Sequence, residues 1–402
     1  MSPKKVTLVY ALLLLGIYSI SALELRSQSL DLGGSARGYI FFRLEDLPDF
    51  IDLRRDTEFT SFRFTLDSEF NPSIRFEAHG VLDFLSPRGS GAARIAQSRT
   101  STYLPLDSIL NESDSHLLTS RFDRLNLQFK INDVRLIVGR QAISWGVAHF
   151  WPTVDFFSSF APERIHRDYK DGVDAARAIV PLGDYSELQI IGAVLGPSFE
   201  KDGSAAAQLR FHMGTWDLGM VGGSFHGDTV AGVFITTGVQ GTAYRGEVTW
   251  TRSGAAGDQL LDRARFWRVS LGLDRQLTPN TGISGEFHFN GFGVGDPSQY
   301  IPLAVTDRVR RGEMSSLGRY YTGGAYNWQM HPLVTLAQAL LFNWNDPSLL
   351  WLPSLNWSTS DNSSLLVGAQ WGIGPGFKDE VSLESEYGPV PATLYAGAKW
   401  YF

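Results

Sequence analysis

The side chains that could perform catalysis are scattered along the 402-residue chain. Its eight histidines form no His-Glu-x-x-His sequence, the spacing that places two zinc ligands on one helix face. The Gly-x-Ser-x-Gly turn of serine hydrolases is absent, and Ser224 and His226 have no evident acid partner for a triad. Because there is no cysteine, the chain offers no thiolate metal site and no attachment point for haem. We therefore expect no enzymatic activity, no metal and no cofactor.

Residues 141–173 form a segment of unusual composition, which combines charged residues, two prolines and seven aromatic residues. Exposed to water, these aromatics would form an unusually large apolar patch. We therefore expect the segment to fold inwards and form a constriction or partial plug; the alternative is an external loop packed on its neighbours. The predicted constriction residues are Arg140, Gln141, Trp145, Trp151, Asp155, Phe156, Arg164, Arg167, Asp168 and Lys170.

The elements that must position these residues are β-strands, because apolar and polar residues alternate along most of the chain. Between residues 73 and 84, for example, Ile74 and Phe76 share one face. Arg75 and Glu77 share the opposite face, as successive residues of a strand do. We count about 18 strands, or 16 if the poorly alternating residues 319–358 form fewer. The predicted starts lie near residues 33, 58, 72, 122, 133, 174, 186, 205, 215, 229, 241, 265, 281, 319, 332, 349, 363 and 391.

The connections between these strands alternate in length. Short turns are predicted near residues 71, 132, 183, 214, 279 and 331, and long polar segments span about 85–121, 141–173, 292–317 and 373–390. Short turns at one end and long loops at the other are typical of an outer-membrane barrel. The mean hydropathy of −0.09 fits such a wall, whose apolar and polar faces average out. The sequence predicts an all-β fold: one transmembrane antiparallel up-and-down β-barrel over residues 23–402, with an inward-folding loop.

The first 22 residues have the pattern of a cleaved signal peptide. Lys4 and Lys5 precede an apolar stretch over residues 6–18, and small residues lead to a predicted cleavage site after Ala22. A single membrane anchor helix is the alternative, but the apolar run is short for one. The protein is therefore expected to be exported.

The inward faces of the strands are expected to line a wet lumen. Assigned by alternation, they carry slightly more cations than acids, which suggests a weak anion preference. Strict alternation places Arg140 on the apolar face, so a bulge at Gly139 or a position at the rim would have to re-aim it. The predicted lumen wall comprises Arg63, Arg75, Glu77, Arg124, Lys130, Arg177, Arg210, Arg245, Glu247, Arg268 and Glu286.

The last strand carries a family resemblance. In residues 394–402, Ala398, Trp400 and Phe402 share an apolar face, and the sequence ends in phenylalanine. This resembles the final strand of Gram-negative outer-membrane β-barrel proteins. The resemblance implies that these three residues are read by the barrel-assembly machinery, and that the outer-membrane lipid is a further partner.

A narrower resemblance covers residues 139–157. Gly-Arg-Gln leads into Trp145 and Gly146, and the sequence Trp-Pro-Thr-Val-Asp-Phe-Phe follows from Trp151. This is similar to a pattern in several families of bacterial porins. The spacing also resembles, more loosely, that of barrels encoded with multihaem cytochromes in metal-reducing bacteria.

Two functions follow from these resemblances. The first is a porin-like channel in the outer membrane of a Gram-negative bacterium, passing small hydrophilic solutes or ions by diffusion, without a cofactor and without binding nucleic acid. The second is a sheath around a periplasmic or lumen-bound multihaem cytochrome, which would have to be a separate chain because this one lacks cysteine. An adhesin with its function in loops 85–121 and 292–317 is a third class, but nothing in those loops is distinctive.

Overall fold

The computed structural model describes residues 29–45, 56–86, 102–113, 115–157, 162, 168–254, 264–379 and 382–402. These residues form a closed antiparallel β-barrel of 18 strands, which confirms the predicted fold class and the higher strand count. The predicted signal peptide, residues 1–22, lies outside the described residues. No helix in the described part of the chain is long and apolar enough to cross a membrane.

The wall is built from neighbouring strands that pair in chain order. Its strands are β1 (Ser29–Arg43), β2 (Asp56–Asn71), β3 (Ile74–Ser86), β4 (Asp107–Glu112), β5 (Leu117–Ile131), β6 (Val134–Gln141), β7 (Val173–Pro181), β8 (Glu187–Val194), β9 (Gly203–Met213), β10 (Trp216–Phe225), β11 (Asp228–Val239), β12 (Thr242–Arg252), β13 (Arg265–Thr278), β14 (Thr281–Asn290), β15 (Tyr320–His331), β16 (Val334–Asn343), β17 (Ser348–Ser360), β18 (Ser363–Ile373) and β21 (Thr393–Tyr401). The short strand β4 pairs with the start of β5, and β6 pairs with its remainder, so β4 and β6 occupy one position in the wall.

The remaining elements are short and lie in the connections. Strands β19 (Phe377–Asp379) and β20 (Ser382–Leu383) form a separate two-stranded sheet. Helix α1 (Phe199–Asp202) precedes β9, and a 3-10 turn (Pro297–Gln299), α2 (Tyr300–Ala304) and α3 (Asp307–Arg310) lie between β14 and β15. The six predicted short turns all lie at one end of the barrel, the short-turn end. The long segments between β3 and β5, β6 and β7, β14 and β15, and β18 and β21 all lie at the opposite, long-loop end.

The barrel closes where β1 pairs with β21. Ser35 lies opposite Tyr401, and Gly34 and Phe402 exchange backbone hydrogen bonds of 2.8 and 3.1 Å. A glycine is needed at residue 34, because a Cβ atom there would lie 2.4 Å from the carbonyl oxygen of Arg63 and 2.6 Å from the Phe402 ring.

The two faces of the wall follow the alternation of the sequence. Outward side chains are large and apolar, as at Phe64 and Trp267, which are 56% and 54% exposed. One irregularity changes the inward face: His79 pairs with Arg124, whereas Gly80 pairs with Phe122. The intervening Asp123 is the extra residue of a β-bulge, so Asp123 and Arg124 both contact inward-facing groups.

Candidate pore constriction

Residues 142–172, here called the inner loop, leave the wall at the end of β6 and rejoin it at β7. Their described part is 142–157, 162 and 168–172. The backbone of the inner loop is held by carboxylates that project from the inward faces of β12 and β14. The segment therefore folds into the barrel rather than away from it.

Glu247 of β12 is the first anchor of the inner loop. Its Oε1 accepts hydrogen bonds from the backbone N–H groups of Val147 and Ala148, the latter at 2.7 Å. Its Oε2 accepts from the N–H groups of Thr153 and Val154 at 2.6 and 3.0 Å, and from the Thr153 hydroxyl at 3.3 Å. A carboxylate that accepts several N–H groups binds more strongly than a neutral acceptor, because the hydrogen bonds are charge-assisted.

Glu286 of β14 is the second anchor. It accepts from the backbone N–H groups of His149, Phe150 and Trp151 at 2.7, 3.2 and 2.8 Å. Between the two carboxylates, Ser270 of β13 donates to the Trp151 carbonyl oxygen at 2.6 Å. Consecutive loop residues thus have their backbone polar groups satisfied by three neighbouring wall strands.

Apolar contacts extend this attachment around the wall. Trp145 donates its indole N–H to Gln189 of β8 at 2.9 Å and packs edge-on against Phe157, with ring centroids 5.0 Å apart. Phe156 and Phe157 both pack on Phe225 of β10. Further along the loop, Trp151 stacks on His288 of β14 with centroids 5.4 Å apart. The inward aromatic patch expected from the sequence is therefore buried against the wall.

The returning part of the inner loop contacts the other side of the barrel. The Tyr169 ring lies 4.6 and 3.8 Å from the guanidinium carbons of Arg37 on β1 and Arg63 on β2. Asp168 forms a 2.7 Å ion pair with Lys399 of β21. Strands β1, β2 and β21 lie across the 18-stranded wall from β12–β14, so the inner loop crosses the lumen.

A buried ion pair joins the outgoing and returning parts of the inner loop. Lys170 donates to the carboxylate of Asp155 and, at 3.1 Å, to the hydroxyl of Ser144. Burial raises the pKa of Asp155 to about 6, although the neighbouring Lys170 ammonium acts in the opposite direction. Arg164 and Arg167, also predicted in the constriction, lie outside the described residues.

Arg140 and Gln141 lie in the wall and not in the constriction. The Arg140 guanidinium is buried at the junction between β4 and β6, which pair with successive parts of β5. It donates to Asp174 at 2.9 Å and to the Leu104 carbonyl oxygen at 2.7 Å. Its charge is therefore neutralised by Asp174, next to the end of β6 and to Gly139, whose φ is 120°. Gln141 donates to the carbonyl oxygens of wall residues, including Ala175 at 3.1 Å.

The predicted lumen-wall residues fall into three groups. Glu247, Glu286 and Arg268, which donates to the Thr153 carbonyl at 3.1 Å, are buried beneath the inner loop. Five others contact polar groups of the wall or the inner loop: Arg63 with Asp123, Arg124 with the carbonyls of Asp123 and of Lys170 in the inner loop, Arg245 with Asp274, Arg177 with Gln189, and Glu77 with Asn126. Arg75, Lys130 and Arg210 are exposed towards the short-turn end.

Asp123 and Tyr169 are among the residues of this site that were missed in the sequence. Asp123 faces inwards only because of the bulge, and alternation gives no sign of it. Tyr169 was noted only as one of the loop aromatics, and nothing local indicates that two arginines from other strands flank its ring.

Solved structures with the same architecture are found, although no protein-family model and no curated protein matches this sequence. OccAB2 of Acinetobacter baumannii matches with a TM-score of 0.57 and 10% identity, over 94% of this chain and 98% of that one. OccAB4 of the same organism matches with a TM-score of 0.57 and 10% identity, over 94% of this chain and 99% of that one. OccD3 of Pseudomonas aeruginosa matches with a TM-score of 0.56 and 9% identity, over 94% of this chain and 92% of that one. The chain has the fold of Gram-negative outer-membrane porins.

The porin fold agrees with the predicted outer-membrane localisation. In this fold Ala398 and Trp400 lie on the outward face of β21, and Phe402, which follows the strand, packs on Trp400 with ring centroids 5.0 Å apart. Their reading by an assembly machinery stays a prediction. The cytochrome sheath gains no support from the porin neighbours, and the inner loop occupies space that a guest protein would need.

Proposed function

We propose that the protein is an outer-membrane channel through which small hydrophilic solutes or ions diffuse passively, narrowed by the inner loop. The observation that carries the proposal is the loop's passage across the lumen, from Glu247 and Glu286 on one side to Arg37 and Arg63 on the other. Solutes would enter at the long-loop end, pass the inner loop, and leave along the polar wall of the short-turn end.

The walls fit this mechanism because polar and charged groups replace part of the hydration of a passing solute. Towards the short-turn end Arg75, Lys130 and Arg210 remain exposed on the inward face. Arg75, Arg210 and most other wall charges have an acidic or polar partner, so the permeating solute would meet few uncompensated charges. The porin neighbours favour a channel over an enzyme.

The test is the conductance of the purified full-length barrel in planar bilayers. The wild type is expected to form ion-conducting pores, and deletion of residues 145–165 is expected to increase the single-channel conductance. A folded wild type that passes no ions would overturn the channel. Unchanged conductance after the deletion would overturn the proposal that the inner loop narrows the channel, and the narrowest point would then lie elsewhere in the barrel.

Two accompanying proposals concern partners and selectivity. We propose that the outward apolar face contacts outer-membrane lipid and that the assembly machinery binds the last strand. The slight excess of inward cations predicts a weak preference for anions. The reversal potential in a salt gradient measures it, and a cation-selective pore would contradict it.

A further inference from the structure

Three neighbouring strands carry acidic residues directly opposite one another on the inward face. Asp31 of β1 lies opposite Asp67 of β2, which lies opposite Glu77 of β3. Like charges in directly opposite positions destabilise an antiparallel pair. The row lies about 13 Å along β2 from Arg63, four residues further towards the short-turn end and away from the groups that hold the inner loop. Arg75 supplies one positive charge to this row, at 3.4 Å from Asp67, against three carboxylates.

Three ligand atoms converge within this row. The Nε2 atom of His79 lies 3.4 Å from Asp67 Oδ2 and 3.6 Å from Glu77 Oε1. The three residues can present one ligand atom each within 4.8 Å of one another. Ligands about 2.1 Å from a tetrahedral zinc ion are separated by about 3.4 Å, which is close to both measured distances.

The second oxygen of each carboxylate is held by a neighbour. Arg75 lies 3.4 Å from Asp67 Oδ1, and Asn126 donates to Glu77 Oε2 at 2.9 Å. These contacts leave Asp67 Oδ2 and Glu77 Oε1 directed at the imidazole. Outer groups that orient carboxylate ligands in this way are typical of metal sites.

We propose that Asp67, Glu77 and His79 bind one divalent transition-metal ion of the zinc class from the lumen. One imidazole nitrogen and two carboxylate oxygens suit such an ion, with water in the remaining position. The two carboxylates balance its charge. The three side chains are 26%, 21% and 14% exposed, so an ion can reach them from the lumen.

The competing arrangement is His79 hydrogen-bonded to Asp67 through Nε2, without a metal. The two arrangements differ in what they bind, so the full-length barrel in detergent is titrated with Zn²⁺ by calorimetry and with Co²⁺ by visible absorption. One ion per chain and a tetrahedral Co²⁺ spectrum are expected. The absence of both overturns the proposal.

Variants assign the binding to these side chains. His79→Ala and Glu77→Gln each remove a ligand and are expected to weaken Zn²⁺ binding by at least about a hundredfold, whereas Asn126→Ala removes an orienting contact and should cost about tenfold. His212→Ala is the matched control, because His212 faces Asp217 at 2.9 Å but no third His, Asp or Glu completes a group among the described residues.

The metal titrations use protein whose folding is checked by its heat-modifiable mobility in gel electrophoresis. Binding that survives His79→Ala and Glu77→Gln, or that is lost equally in the His212→Ala control, overturns the assignment. Because the titration requires no conductance, its outcome is independent of the proposed channel function.

Discussion

The replacement of Glu247 by glutamine tests how the inner loop is held. The wild-type carboxylate accepts two backbone N–H groups on Oε1, and two more with the Thr153 hydroxyl on Oε2. A glutamine keeps one oxygen and presents an NH₂ group where the other was. At least two N–H donors of the loop then face a donor instead of an acceptor.

The expected magnitude follows from these lost contacts. A hydrogen bond to a charged group contributes about 1.5–3 kcal/mol, so two of them amount to about 3–6 kcal/mol against docking of the loop. Even the lower value shifts the equilibrium between docked and undocked loop by about a hundredfold. The barrel wall should persist, because the strand hydrogen bonds of β12 are unchanged.

The assay is single-channel recording of wild type and Glu247→Gln in planar bilayers. The variant is expected to show a higher mean conductance and more frequent fluctuations, since an undocked loop no longer spans the lumen. Glu69→Gln is the control: it removes an exposed carboxylate of β2 for which the described loop residues provide no partner. A folded Glu247→Gln barrel with wild-type conductance and noise would refute the anchoring role.

Three further predictions concern the seam, the ion pair and the aromatic contact. Gly34→Ala should lower the free energy of unfolding by about 1–3 kcal/mol, because the added Cβ atom would overlap Arg63 and Phe402; urea unfolding in lipid vesicles measures this. Gly192→Ala is the control and should leave the stability unchanged, because no atom lies within 4 Å of its Cβ position. The raised pKa of Asp155, about 6, means that docking favours the protonated carboxyl. Docking should weaken and current noise increase as the pH rises from 3.8, the usual pKa of an aspartate, to about 6, and Asp155→Asn should remove this dependence. Trp151→Ala removes a buried ring and should cost about 3–5 kcal/mol of packing energy, so that the inner loop undocks and the conductance rises. Trp216→Ala is the control: its ring faces outwards, and the conductance should stay unchanged.

The strands could be predicted because their period is local. The expected starts near 265, 281 and 363 coincide with β13, β14 and β18, and even the poorly alternating residues 319–358 form β15–β17. Alternation sorts side chains between two environments, and that constraint acts residue by residue. The largest displacement is at β5, which begins at Leu117 instead of near 122, close to the bulge at Asp123 where alternation is interrupted.

The candidate constriction could be predicted only in outline. The excess of aromatic residues in 141–173 indicated a segment that must be buried, and the structure places its described part inside the barrel. The anchors could not be foreseen, because Glu247 and Thr153 are separated by 94 residues and meet only after the wall has closed. Arg140 shows the same limit: its charge is satisfied by Asp174 and by the Leu104 carbonyl, from two distant segments.

The inner loop is fastened mainly through its peptide groups. Four of the five hydrogen bonds to Glu247 and all three to Glu286 come from backbone N–H groups, so every amino acid except proline could supply them. Half-buried Ala148 and exposed His149 can therefore change size, charge or polarity while the loop keeps its path, whereas buried Trp151 and Val154 are also held by their side-chain packing. The path of the loop backbone is thus separable from the chemistry of the side chains that it presents at these two positions.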